Sequence, residues 1–73
     1  MGKTIYRKDY KRVIEKLREA RLEAGMSQVD VAKTMNRPQS YISKVERGDQ
    51  RIDVIELKIL SNIYKKDISF FLD

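Results

Sequence analysis

Residues 27–48, with the sequence SQVDVAKTMNRPQSYISKVERG, constrain the fold of this chain more than any other segment. Ser27 is a favourable N-cap residue and is followed three positions later by an acidic residue, Asp30, so a helix is expected to begin at Gln28. One face of this helix is apolar and is expected to be buried; it carries Val31, Ala32 and Met35. The segment therefore opens with a short helix that packs against the rest of the chain.

The same segment predicts a tight turn and a second helix. Pro38 disfavours the helical conformation in the residue before it and suits the first turn of a new helix, so the break falls at residues 36–38. The second helix is expected to run from Gln39 to about Arg47, and Gly48 is a plausible C-cap. Its inward face carries Ile42 and Val45, and its outward face carries Gln39, Ser40, Ser43 and Lys44.

Several residues of this segment have a characteristic spacing. They are Gln28, Ala32, the pair Gln39 and Ser40, the run Ile42, Ser43 and Lys44, and the run Glu46, Arg47 and Gly48. In this respect the segment resembles the helix-turn-helix of phage repressors and Cro proteins, often called the XRE family, and the resemblance extends from about residue 13 to residue 72. It implies an all-α, compact bundle of about five short helices, the lambda repressor-like DNA-binding domain.

Length and charge agree with such a domain. The chain has 73 residues, enough for a single domain at residues 1–73, and so short a chain buries only about 60% of its unfolded surface, so a partner would add stability. The net charge of +5 suits phosphate binding. Residues 1–25 carry +4, residues 36–51 carry +2 and residues 52–73 carry −1. The carboxyl-terminal end is therefore not expected to face DNA.

Several other functions are disfavoured. The chain contains no Cys and no His, which excludes thiolate and imidazole metal sites, disulfides, and Ser-His or Cys-His catalysis. The carboxylates of the first 25 residues alternate with Lys and Arg, as on a solvated helix surface. No enzymatic activity, cofactor or metal is expected. The apolar runs are too short to span a membrane and the first residues lack the apolar centre of a signal peptide, so a soluble cytoplasmic protein is expected.

Another helix is expected before the segment. After an amino-terminal arm at residues 1–8, extended at residues 3–6, this helix is expected to begin at Asp9 and to end at Ala24, next to Gly25. Its buried face would carry Val13, Leu17, Ala20 and Ala24.

Two more helices are expected after the segment. Asp53 and Glu56 have the spacing of a capping box, so the fourth helix is expected to begin at Asp53 and to continue to about Lys65. A last short helix or turn covers residues 68–72.

DNA contacts are expected from the outward residues of the recognition helix, which is the second helix of the segment. Its amino end meets base edges in the major groove, so Gln39 is expected to bond adenine at N6 and N7, with Ser40 and Lys44 as further base contacts. Phosphate contacts are expected from Gln28, Arg37, Tyr41, Arg47 and Arg51. The resemblance also implies that Gln28 braces Gln39. The alternative for each is an ordinary exposed polar side chain, and for Tyr41 it is packing on the first helix of the segment.

One pair of charges is expected inside the molecule. In the repressors that this chain resembles, an arginine at the position of Arg21 pairs with a glutamate at the end of the recognition helix, here Glu46. Glu46 follows Val45 at the edge of the buried stripe, which favours this pairing. The alternative is two surface charges, each paired with neighbours on its own helix.

The fourth helix predicts a dimer. Ile55 and Ile59 lie on one apolar stripe and a second stripe lies beside it, so the apolar arc is about twice as wide as one core requires. Phe70 is expected to be an exposed aromatic, with Ile68, Phe71 and Leu72 in the core. These features favour a homodimer interface at Ile55, Ile59 and Phe70. The alternative is that the chain's own helices cover the whole arc.

The sequence therefore predicts a DNA-binding transcriptional regulator, a homodimer on a palindromic operator in double-stranded DNA. Two other settings for such a domain are the controller of a restriction-modification operon and an antitoxin that also binds a protein toxin. A protein-only adaptor would not need Gln39 or Lys44. An antitoxin would be expected to carry a disordered tail, and the last helix instead lies at the end of the sequence.

Overall fold

The structure is a computed structural model that describes the backbone from residue 2 onward and the side chains from residue 8 onward. Its regular elements are α1 (Gly2–Glu23), α2 (Gln28–Met35), α3 (Gln39–Arg47), α4 (Val54–Ile63) and α5 (Ser69–Leu72). All regular structure within this part of the chain is helical, which confirms the predicted fold class. None of these helices is both long enough and apolar enough to cross a bilayer.

The first helix is longer than predicted. α1 begins at Gly2, so the expectations of an extended stretch at residues 3–6 and of a helix start at Asp9 are wrong. No proline lies among residues 3–9, and an existing helix extends at little cost where nothing breaks it. The predicted arm at residues 1–8 is therefore helical from residue 2, and Met1 lies outside the described residues.

Caps set the boundaries of the helices around the central turn. The Ser27 side chain accepts from the backbone N–H of Asp30, whose carboxylate accepts in return from the backbone N–H of Ser27, as predicted. Hydrogen bonding from Ser27, first from its backbone N–H, lowers the pKa of the Asp30 carboxyl. Asn36 and Gly48 end α2 and α3 in the left-handed conformation. The pair of Asp53 and Glu56 forms the predicted capping box at the start of α4.

The core draws on all five helices, with α2 packed on α3 and α1 in contact with α3 and α5. Its buried apolar side chains are Ile14, Leu17, Ala20, Val31, Ala32, Tyr41, Ile42, Val45, Leu57, Leu60, Tyr64 and Phe71. The prediction for α1 is right for Leu17 and Ala20 but wrong for Ala24, which is exposed because the helix ends one residue before it. Ile14 is buried where Val13 was expected, and Val13 is half-buried.

The predictions for the carboxyl-terminal helix are partly wrong. Phe71 is buried as expected, but Leu72 is exposed and Phe70 is half-buried. Phe70 packs edge-on against Phe71, and the ammonium groups of Lys16 and Lys66 lie over its ring at 5.3 and 4.8 Å. Successive residues of a helix are rotated by about 100° from one another, so when Phe71 faces the core its two neighbours lie at the edges of the buried face. Phe70 is therefore not the exposed aromatic that a dimer interface would use.

The Ser27 cap generates a stability prediction. Replacing Ser27 with Ala removes the acceptor for the Asp30 N–H, so the free energy of unfolding is expected to fall by about 1 kcal/mol. Urea denaturation measures this loss. Ser40→Ala is the matched control, because Ser40 is an exposed serine inside a helix, and its effect is expected to stay within about 0.5 kcal/mol. Equal losses in the two variants would contradict the role of the cap.

Candidate nucleic-acid interface

The amphipathic pattern of α3 fixes which of its residues face outward. Ile42 and Val45 are buried between the helices, as predicted, while Gln39, Ser40 and Lys44 are exposed. The buried residues anchor α3 to α2 and α1, which it contacts directly. The exposed polar residues of α3 thus lie on the outer surface of the helix-turn-helix.

A buried ion pair ties the end of α3 to α1. Arg21 donates from Nε to Glu46 Oε2 at 2.7 Å and from Nη2 to Glu46 Oε1 at 3.1 Å. A third bond runs from Arg21 Nη1 to the carbonyl oxygen of Met26 at 3.0 Å. The two side chains are only 9% and 6% exposed, and hydrogen bonding to Glu46 raises the pKa of the Arg21 guanidinium above its ordinary value. Arg21 therefore joins α1, the α1–α2 turn and α3.

Two glutamines extend this pair to the protein surface. Gln28 donates from Nε2 to Glu46 Oε1 at 3.0 Å, and Gln39 donates from Nε2 to Gln28 Oε1 at 2.8 Å. A carboxylate can only accept hydrogen bonds, so Gln28 must turn its NH₂ toward Glu46 and its oxygen toward Gln39. Gln39 must then offer its own NH₂ to Gln28. The ion pair thus fixes the orientation of both amides.

Tyr41 does not point outward, so that expectation is wrong. Its side chain is buried, and its hydroxyl donates to Glu56 Oε2 at 2.8 Å. Burial is the main cause that raises the pKa of Tyr41 to about 12, and the hydrogen bond to Glu56 is the second. Glu56 also pairs with Arg37 at 3.1 Å, and the Arg37 guanidinium lies 4.4 Å from the centre of the Tyr41 ring. Tyr41 is thus held by Glu56 of α4 and by Arg37, contacts that a helical pattern within α3 does not reveal.

Two of the predicted phosphate contacts lie at the end of α3 and in the loop that follows it. Arg47 is exposed and pairs with Asp49 at 3.2 Å, an exposed contact that contributes little to stability. Arg51 lies over the ring of Tyr10, with its guanidinium carbon 4.9 Å from the ring centre.

Tyr10 was not among the residues singled out from the sequence. Its position four residues before Ile14, on the same stripe of α1, is the signal that it packs inward.

The buried ion pair generates a second prediction. Arg21→Met or Glu46→Leu leaves an unpaired buried charge, so each single variant is expected to lose about 3–5 kcal/mol of stability. The double variant leaves no such charge and is expected to lose less than either single variant. Urea denaturation of all four proteins measures this. Losses that add in the double variant would mean that the charges act independently, as two surface residues would.

Comparison with known proteins agrees with this geometry. The family profile HTH_3, described as helix-turn-helix, matches residues 17–71, which span α2, α3, α4 and most of α5. No curated protein and no solved structure matches the chain. The profile covers more than half of the chain and includes the ion pair, both glutamines and the turn. The chain belongs to the helix-turn-helix family of the Cro and phage-repressor type and is a DNA-binding regulator.

Proposed function

We propose that this protein is a homodimer that binds a palindromic operator and reads it through the amino end of α3. The observation that carries the proposal is the hydrogen-bonded chain from the buried pair of Arg21 and Glu46 through Gln28 to Gln39. An exposed glutamine held by a buried ion pair loses little conformational freedom on binding, and such preorganisation favours a specific contact.

The geometry of Gln39 supports recognition of adenine. One N–H of its amide bonds to Gln28, which leaves the other N–H and the oxygen available. Adenine presents an acceptor at N7 and a donor at N6 in the major groove, so these two groups match a bidentate contact. Ser40 and Lys44 are exposed on the same helix. Lys44, one turn further along, is proposed to reach guanine or a phosphate.

Phosphate contacts are proposed on both sides of the recognition helix. Gln28 lies at the amino end of α2, where free backbone N–H groups favour an anion. Arg47 and Arg51 are exposed in and beside the loop after α3. Arg37 is half-exposed and pairs with Glu56, so it has to share its guanidinium with that carboxylate. Tyr41 is left out of this set because its buried hydroxyl is bonded to Glu56.

The surface of α4 supports dimerisation. Val54, Ile55 and Ile59 are 67%, 61% and 42% exposed, and Ile55 and Ile59 lie one helical turn apart on the same face. The carboxyl-terminal segment that contains them has a net charge of −1, which suits a protein partner better than phosphate. A twofold dimer would place two recognition helices about 34 Å apart, one turn of DNA, on the same side of the duplex.

Loss of the Gln39 amide is expected to reduce specificity. Gln39→Ala should weaken binding to the preferred site, selected by the wild type from a random pool, by about 1–3 kcal/mol and weaken binding to random DNA much less. Fluorescence anisotropy titrations with both duplexes measure the ratio. Asn62→Ala, which removes an exposed amide from α4, is the control and should leave the ratio unchanged. An unchanged preference in Gln39→Ala would remove Gln39 from the proposed readout.

Loss of the apolar face of α4 is expected to separate the subunits. Ile55→Asp places a charge in the proposed interface and should shift the protein to monomer, with its helical content intact because this side chain is solvent-exposed within one subunit. Leu22→Asp is the control, since Leu22 is a similarly exposed apolar residue, 58%, on α1. Sedimentation at micromolar concentration distinguishes the two. A wild type that stays monomeric even on its preferred DNA would contradict the proposed dimer.

A further inference from the structure

The amino-terminal part of α1 lies outside the family match, which begins at residue 17. This part of the chain concentrates positive charge. Residues 1–12 contain five basic residues and one acidic residue, a net charge of +4 in a chain whose total is +5. The base contacts proposed above do not include these residues. The contacts of residues 8–12 show where it meets the rest of the molecule.

Tyr10 joins this part of α1 to the loop after the recognition helix. Its hydroxyl donates to the carbonyl oxygen of Gln50 at 3.4 Å and accepts from the backbone N–H of Ile52 at 3.3 Å. Between these two residues, Arg51 lies with its guanidinium over the Tyr10 ring. Tyr10 is half-buried against the core. One side chain of α1 thus holds three consecutive residues of the loop that carries Arg51, one of the proposed phosphate contacts.

Two exposed cations directly follow Tyr10 on α1. Lys11 lines a cleft together with Arg47 and Gly48 at the end of α3, and Arg12 lines a second cleft together with Arg51. Acidic residues also line these clefts, Glu15 and Glu46 the first and Asp9 and Asp73 the second, and Asp49 lies in the loop. Counting Asp9 and Asp49, residues 8–12 carry +2 and residues 47–51 carry +1. The two segments that Tyr10 holds together therefore have a positive net charge.

From this arrangement we infer that residues 8–12 of α1 form an additional DNA-backbone surface. Tyr10 positions the loop, and Lys11 and Arg12 extend the proposed phosphate contacts of Arg47 and Arg51 to neighbouring phosphates of the same duplex. The inference rests on the proposed function, because it places this surface beside a recognition helix in the major groove. Its contribution is independent of base sequence, since phosphates carry no direct sequence information.

The salt dependence of DNA binding tests the two cations. Each phosphate contact that is lost makes the log–log slope of affinity against salt less steep by about 0.9. The variant with both Lys11→Gln and Arg12→Gln is therefore expected to bind a mixed-sequence duplex with a slope less steep by about 1.8. Lys58→Gln is the control: it removes one exposed charge from α4 and should keep the wild-type slope. Circular dichroism checks that all variants remain folded.

The positioning role of Tyr10 has its own test. Tyr10→Phe keeps the ring beneath Arg51 and removes both hydrogen bonds to the loop. It is expected to weaken binding to preferred and random duplexes by the same factor and to leave the preference intact. Because Tyr10 acts through the loop, adding Tyr10→Phe to Arg51→Gln should weaken binding no further. Independent, multiplicative losses at a temperature where both variants are fully folded would overturn this role.

The outcomes separate this inference from the proposed function. A wild type that fails to bind any duplex at low salt would defeat the proposed function. If the wild type binds DNA and the variant with both Lys11→Gln and Arg12→Gln keeps the same steep salt dependence, only the additional surface is overturned. This result is expected if the patch instead binds an acidic protein. An equal change of slope in Lys58→Gln would also overturn it, because total charge rather than its position would then set the affinity.

Discussion

The ion pair between Arg21 and Glu46 is the interaction on which the orientation of the exposed Gln39 amide depends. Burying two charges is costly unless each is paired and hydrogen-bonded, and here the Glu46 carboxylate accepts two bonds from Arg21 and one from Gln28. Because a carboxylate cannot donate, it determines which way Gln28 faces, and Gln28 in turn determines which way Gln39 faces. The buried Glu46 carboxylate thereby determines where the Gln39 amide presents its hydrogen-bond donor and acceptor on the surface.

A second carboxylate connects α3 to the proposed dimer face. Glu56 caps its own helix, accepts from Tyr41 and pairs with Arg37, so the starts of α3 and α4 share one anchoring group. Ile55 lies next to Glu56 in the sequence and faces solvent. In the proposed dimer, the path from the subunit interface to the recognition helix therefore runs through packed and hydrogen-bonded side chains. Such a path would hold two recognition helices at a fixed separation, as a palindromic operator requires.

Local signals predicted the helix-turn-helix well, whereas contacts between distant segments escaped prediction. The cap at Ser27 and the left-handed Gly48 depend on residues within one turn, so their sequence patterns suffice. Tyr41 was expected to point outward because the pattern within α3 does not show its contacts with Glu56 and Arg37. The contacts of Tyr10 with a loop some 40 residues later carry no local signature. The pairing of Arg21 came from resemblance rather than from spacing, which alone left a surface pair open.

The most direct test of this account is a double-mutant cycle between Gln28 and Gln39, measured as the ratio of affinities for the preferred and random duplexes. If Gln28 acts on specificity by orienting Gln39, then Gln28→Ala reduces this ratio in the wild-type background and leaves it unchanged in the Gln39→Ala background. The account predicts this strong coupling. Equal reductions in both backgrounds would mean that the two glutamines act independently and would contradict the claim that the buried ion pair organises the readout.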